Sequence, residues 1–194
     1  MTIDEAQKLA EQMHEGQFRA DRVTPYIEHP KAVAAMVAEN GGTDRDICVA
    51  WLHDIIEESK DKVGELIGSD MSNAIRFLMD AKKFGWDNEI TYSIKRLTDI
   101  WDQDYIEEMG KSAYLAKLLV SSPLKDILVK LCDMICNMRE SNGTRMAQEK
   151  RYYNAVKCLQ VQNRKDMPEN IKKLMCEIDS LYITHFRQNK KNGK

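Results

Sequence analysis

His53, Asp54, Glu57 and Glu58 sit within one short stretch, and their types and spacing could do chemistry. The stretch is DICVAWLHDIIEE, residues 46–58, and most of its other positions are apolar. At helical spacing His53 and Glu57 are i,i+4 neighbours, as are Asp54 and Glu58, so an imidazole and carboxylates can converge on one point. A second segment, LKDILVKLCDMICNMR at 124–139, is apolar around most of its circumference and keeps a narrow polar strip of Asp126, Lys130, Asp133 and Asn137. A carboxylate on so buried a helix must be paired or metal-bound. With His29 in YIEHP, the chain holds two histidines and two acids in the order His…His-Asp…Asp. That mixed nitrogen and oxygen set suits an octahedral divalent ion, Mn²⁺ or Fe²⁺, better than a structural zinc. Each residue alone has a plainer use, as a core histidine, a helix cap or a solvated acid. The combination points to a metal.

Positioning those residues falls to helices. Apolar residues recur at helical rather than alternating spacing, which predicts helices over 3–15, 30–39, 43–59, 72–82, 90–97, 105–119, 124–139, 145–162 and 168–186. Gly16 ends the first, and Thr43 reads as an N-cap. Between them the loop QFRADRVTPYIEHP is held extended at Thr24-Pro25. The predicted class is all-α, in a single domain over 1–186, with a disordered basic tail over 187–194.

Composition narrows the partners. Lys plus Arg number 29 against 31 Asp plus Glu, a formal charge of −2, which removes any chain-wide reason to bind nucleic acid or an anionic membrane. No apolar run approaches the roughly 18 residues of a membrane span. The opening MTIDEAQKLAEQM is amphipathic and acidic, unlike a secretory signal, so the expected location is cytoplasmic. Cys48, Cys132, Cys136, Cys158 and Cys176 contain no CxxC pair and are expected to be reduced, buried thiols. His14 and His185, near helix ends, are given no chemistry.

Four blocks in order, HEGQFR at 14–19, PYIEHPKAVA at 25–34, AWLHDIIEES at 50–59 and VKLCDMICNMRE at 129–140, resemble the HD-domain hydrolases of the Rel/SpoT type and the small alarmone hydrolases of the Mesh type. The resemblance covers about 6–142, the motif core, with the helices over 145–186 beyond it. It implies an HD-domain helical bundle in which His29, His53, Asp54 and Asp133 bind one divalent metal, usually manganese. Glu57 and Glu58 match the acidic pair that positions and activates water. Arg19 matches the arginine that packs on the nucleobase or ribose, and Asn137 the asparagine that contacts the nucleotide. The reaction implied is hydrolytic removal of the 3′-pyrophosphate from guanosine tetra- or pentaphosphate, a small-molecule nucleotide substrate.

Some positions depart from the pattern. The acidic pair is Glu-Glu rather than Glu-Asp, Cys136 replaces a histidine, and Glu140 replaces a threonine. Two alternatives therefore stay open: an HD hydrolase of another nucleotide or phosphate ester such as NADPH, and a catalytically idle nucleotide sensor. The helices after Met146 could pack on the bundle or form a homo-oligomer surface.

Overall fold

The computed structural model describes residues 1–58, 88–162 and 165–193. All the regular elements among them are helical, as the spacing predicts; the helix expected over 72–82 lies outside the described residues. They fall into two compact units, Met1–Trp101 and Asp102–Lys194.

In the first unit, α1 (Ile3–Met13) opens on a capping box in which Glu5 N–H donates to Thr2 Oγ1 while Thr2 N–H donates to Glu5 Oε2. Its Ala6, Ala10 and Met13 form the buried stripe. Helix α2 (Glu28–Glu39) starts two residues before the expected Pro30. Pro30 thereby takes a first-turn position where its missing N–H costs nothing, since the first four amides of a helix have no partner within it. A second capping box, between Thr43 and Asp46, starts α3 (Asp44–Leu52). Both α1 and α2 pack on α3, as does α5 (Asn88–Leu97). The turn from α2 into α3 is tight: a Cβ on Gly42 would stand 2.4 Å from Val37 Cγ1 and 2.9 Å from Val37 O.

The expected helix over 43–59 is interrupted. It breaks at His53 and Asp54 and resumes as the short α4 (Ile55–Glu58). His53 Nδ1 lies 2.8 Å from Ala50 O, the carbonyl that an unbroken helix would offer to the Asp54 amide. The dyad thus sits at a joint between helices.

In the second unit, the helix expected over 105–119 is two helices, α6 (Gln103–Met109) and α7 (Lys111–Ser121). They part at Gly110, whose φ of 83° is reached without strain only by glycine. Helix α8 (Leu124–Ser141) is as buried as its apolar circumference predicts, and it packs on α10 (Glu169–Lys191). Helix α9 (Met146–Val161) packs on α7 and α10. Helix α10 runs on through Lys191, so most of the tail expected to be structureless is helical. Asn189 Nδ2 ties it to Gly143 O at 2.8 Å, and Lys190 and Lys191 suit the negative end of the helix dipole.

The structure gives His185 a structural place, and it corrects the expectation that the cysteines are all buried. His185 is buried at 4% exposure, with Nδ1 2.8 Å from Oε2 of Glu149. Glu149, at 1% exposure, also accepts from Ser141 Oγ and from Gly143 N–H, so it pins the ends of three segments together. Of the cysteines, Cys48 and Cys132 are buried, but Cys158 and Cys176 are exposed and Cys136 is intermediate.

Candidate metal centre

Three of the sequence-predicted donors meet in the first unit. His29 comes from the first turn of α2, and His53 and Asp54 from the joint between α3 and α4. One ligand atom from each lies within 4.8 Å of the others. His29 Nε2 is 3.5 Å from Asp54 Oδ2, and His53 Nε2 is 3.1 Å from Asp54 Oδ1. Both histidines are buried, and their ring centroids are 5.5 Å apart.

The tautomer of His53 follows from its surroundings. Ala50 O can only accept, so His53 Nδ1 carries a proton, and Nε2 is the ring nitrogen that faces the cluster. A carbonyl partner behind the ring is the usual device for aiming a metal-binding imidazole. Two imidazoles, one of them aimed by a carbonyl, and a carboxylate, converging and mostly buried, fit a divalent ion.

Asp54 is held from behind as well. Tyr26 O–H donates to its Oδ2 at 2.8 Å. Burial, then the Asp54 charge, pushes the Tyr26 phenol well above its ordinary pKa, so it stays a donor. The Tyr26 ring is itself clamped: His14 stacks on it at 4.7 Å, and the Arg19 guanidinium lies 4.9 Å from its centroid. His14 Nδ1 donates to Gln17 Oε1, and Gln17 Nε2 donates to Glu58 O, both at 2.8 Å. Burial pushes the pKa of His14 below the ordinary imidazole value, which keeps it neutral near pH 7. Neither His14 nor Tyr26 was assigned chemistry from the sequence, although both lie in the quoted blocks.

Other predicted residues are placed as follows. Glu57 Oε1 accepts from the backbone N–H of Asp99 at 2.6 Å, while Glu58 is exposed. Arg19 sits on a hairpin-like loop where its N–H bonds Thr24 O at 2.8 Å and Phe18 bridges Pro25. Asp21 shapes that loop by accepting from Thr24 Oγ1 and from the amides of Val23 and Thr24, which holds its carboxyl down to about 2. In the second unit Asp133 is 4% exposed, with Oδ2 2.8 Å from Lys130 Nζ and Oδ1 accepting from Asn137 Nδ2 at 2.6 Å. The buried Asp133 carboxylate is thus paired, as its burial requires. Glu140, the departure nearest that motif, is ion-paired with Arg145 at 3.0 Å.

Fold and cluster together define a helical protein in which an adjacent histidine–aspartate pair and a second histidine converge as a group that could hold a metal ion. The chain belongs to the HD-domain family, whose sequence model matches residues 6–161. It is 26% identical over 146 residues to the guanosine-3′,5′-bis(diphosphate) 3′-pyrophosphohydrolase of Haemophilus influenzae, covering 74% of this chain and 19% of that protein. It is 28% identical over 159 residues to the GTP pyrophosphokinase rsh of Brucella melitensis, covering 76% and 18%. The chain therefore spans less than a fifth of the length of these relatives. Among solved structures it resembles one described as a metazoan ortholog of SpoT that hydrolyzes ppGpp, with a TM-score of 0.62 and 19% identity over 94% of each chain. That likeness bears on the fold. Among the described residues, no helix is long and apolar enough to cross a membrane.

Proposed function

We propose that this chain is a metal-dependent phosphohydrolase, acting in the cytoplasm, that converts guanosine tetraphosphate to GDP and pyrophosphate. The observation that carries the reading is the convergence of His29 Nε2, His53 Nε2 and the Asp54 carboxylate. The printed activity of the Haemophilus relative supports the choice of substrate. The sequence resemblance adds Asp133 as a fourth ligand, and the donor types favour Mn²⁺. A bound divalent ion would acidify water and offset charge developing on the phosphoryl oxygens.

The chain's own residues do the rest. His53 and Asp54 are held by Ala50 O and by Tyr26, so their donor atoms need little reorganisation. Glu57 and Glu58 follow within one turn and supply carboxylates to accept the proton of the attacking water. Glu57 is the fixed member, anchored to the Asp99 amide, and Glu58 is the exposed one. Arg19, lying against Tyr26, offers a planar cation to a base or ribose. Asn137, through its bond to Asp133, links nucleotide contact to the fourth ligand.

The test is product analysis by anion-exchange chromatography, with Mn²⁺ present and with NADPH and nucleoside phosphates run in parallel. GDP and pyrophosphate should form from ppGpp, and chelator or Asp54→Ala should abolish the reaction. Glu57→Gln and Glu58→Gln should keep the metal and lose rate, together by about 10²–10⁴-fold. Wild-type turnover in the double variant would remove the water-activation role. Turnover confined to another phosphate ester would discard the alarmone and keep the metal chemistry.

A further inference from the structure

The second unit carries a cavity that the proposed reaction does not use. It measures about 640 Å³ and lies between the loop joining α8 to α9 and the last turns of α10. That volume falls in the range of about 300–1,000 Å³ typical of small-molecule sites. One wall is aromatic. Tyr182 and Phe186, one turn apart on α10, have ring centroids 6.1 Å apart and planes 29° apart. Tyr182 is backed in turn by Tyr153, stacked at 4.6 Å, so the wall is already ordered. Phe186 nevertheless keeps 46% of its surface exposed, so the wall remains accessible to a further planar group.

The cavity's charge is entirely positive. Lys150 of α9 and Lys190 of α10 line it, and no acid does. Among the described residues neither lysine has a carboxylate partner, whereas Lys157, beside Tyr153, is bound to Asp179. Lys190 Nζ lies over the Phe186 ring, 5.7 Å from its centroid, which sets a cation at the end of the aromatic wall. Glu149, next to Lys150 in sequence, is buried and engaged by Ser141, Gly143 and His185, so it does not compete for the lysines.

An ordered aromatic wall beside two uncompensated ammonium groups matches a ligand with a planar ring at one end and several negative charges at the other. We propose that this cavity binds a nucleotide, its base against Tyr182 and Phe186 and its phosphates between Lys150 and Lys190. The residues involved take no part in the His29, His53 and Asp54 cluster. The proposal stands whether or not that cluster hydrolyses an alarmone. Stacking on aromatic rings tolerates any base, so the site should select for a charged nucleotide more than for a particular base.

Met146 also lines the cavity and supplies a local reporter. Protein labelled with ¹³C at the methionine methyl groups, its Met146 signal assigned with Met146→Leu, is titrated with GDP in the presence of chelator. The Met146 resonance should move saturably. Guanosine alone and inorganic pyrophosphate alone should each bind about tenfold or more weakly, because each satisfies one half of the cavity. Phe186→Ser, and separately Lys150→Glu with Lys190→Glu, should weaken GDP by about tenfold with the circular dichroism spectrum unchanged. An unmoved Met146 signal would overturn the proposal. So would pyrophosphate or guanosine binding as well as GDP, and so would wild-type affinity in the variants.

Discussion

Replacing Tyr26 by phenylalanine removes a single hydroxyl and tests whether the metal centre depends on its outer contacts. In the structure that hydroxyl donates to Asp54 Oδ2 at 2.8 Å, and the ring is held by His14 on one side and Arg19 nearby. Phenylalanine keeps both ring contacts, so the loss is confined to one hydrogen bond onto a carboxylate. Tyr26 is 8% exposed and the Asp54 side chain 15%, so water replaces the lost donor poorly. Hydrogen bonds to charged groups contribute about 1.5–3 kcal/mol. At about 1.4 kcal/mol per factor of ten, that corresponds to roughly 10–100-fold in metal affinity if the bond acts mainly by aiming the carboxylate. Loss of a second-layer partner at other metal sites falls in the same range, about 10–100-fold. The assay is competition for Mn²⁺ against a fluorescent chelator at fixed pH, with thermal unfolding of the metal-free protein run alongside. Expected are weaker Mn²⁺ binding by at least the lower figure and a small change in metal-free melting temperature. Tyr26→Leu, which also removes the ring contacts, should lower both. If Tyr26→Phe binds Mn²⁺ as wild type does, the hydroxyl does not orient Asp54 and the clamp through His14 and Arg19 is only packing.

Three further outcomes follow from other contacts. Gly42→Ala puts a methyl 2.4 Å from Val37 Cγ1 and 2.9 Å from its carbonyl, so urea unfolding should show a loss of about 1–3 kcal/mol from overpacking. His14 has a pKa below that of the unfolded chain, 6.5, so the unfolded state binds the extra proton first. Its contribution to stability is complete above pH 6.5 and falls away as the pH drops below that value; the pH dependence of melting in His14→Gln should be flatter than wild type over that window. An equal slope in the two proteins would show that His14 does not titrate as its burial requires. His185→Ala leaves the buried Glu149 carboxyl group short of one hydrogen-bond partner, which costs about 1–3 kcal/mol. A melting temperature unchanged from wild type would show that the pair contributes nothing.

The helical stripes were legible further than they were followed. On α9 the buried residues Tyr152, Ala155, Val156 and Leu159 recur at i, i+3, i+4 and i+7, and the same stripe carried one turn back arrives at Glu149. On α10 the stripe of Ile171, Leu174, Met175 and Ile178, continued by seven residues, arrives at His185. On α1 it passes from Ala6, Ala10 and Met13 to His14. Cys158 and Cys176 fall off these stripes and are exposed. Position along the period therefore outranked residue type each time the two disagreed, and a buried charge found its partner from another element rather than moving outward. The convergence of His29, His53 and Asp54 was legible for a different reason, since the His-Asp dyad and YIEHP are local motifs that need only be brought together. The clamp behind the cluster has no such signal. Tyr26 and Gln17 lie in a loop with no period, and their partners Asp54 and Glu58 are 28 and 41 residues away. Neither could be assigned a role until α1 and α2 were packed on α3, because only that packing brings a loop hydroxyl to the back of the Asp54 carboxylate.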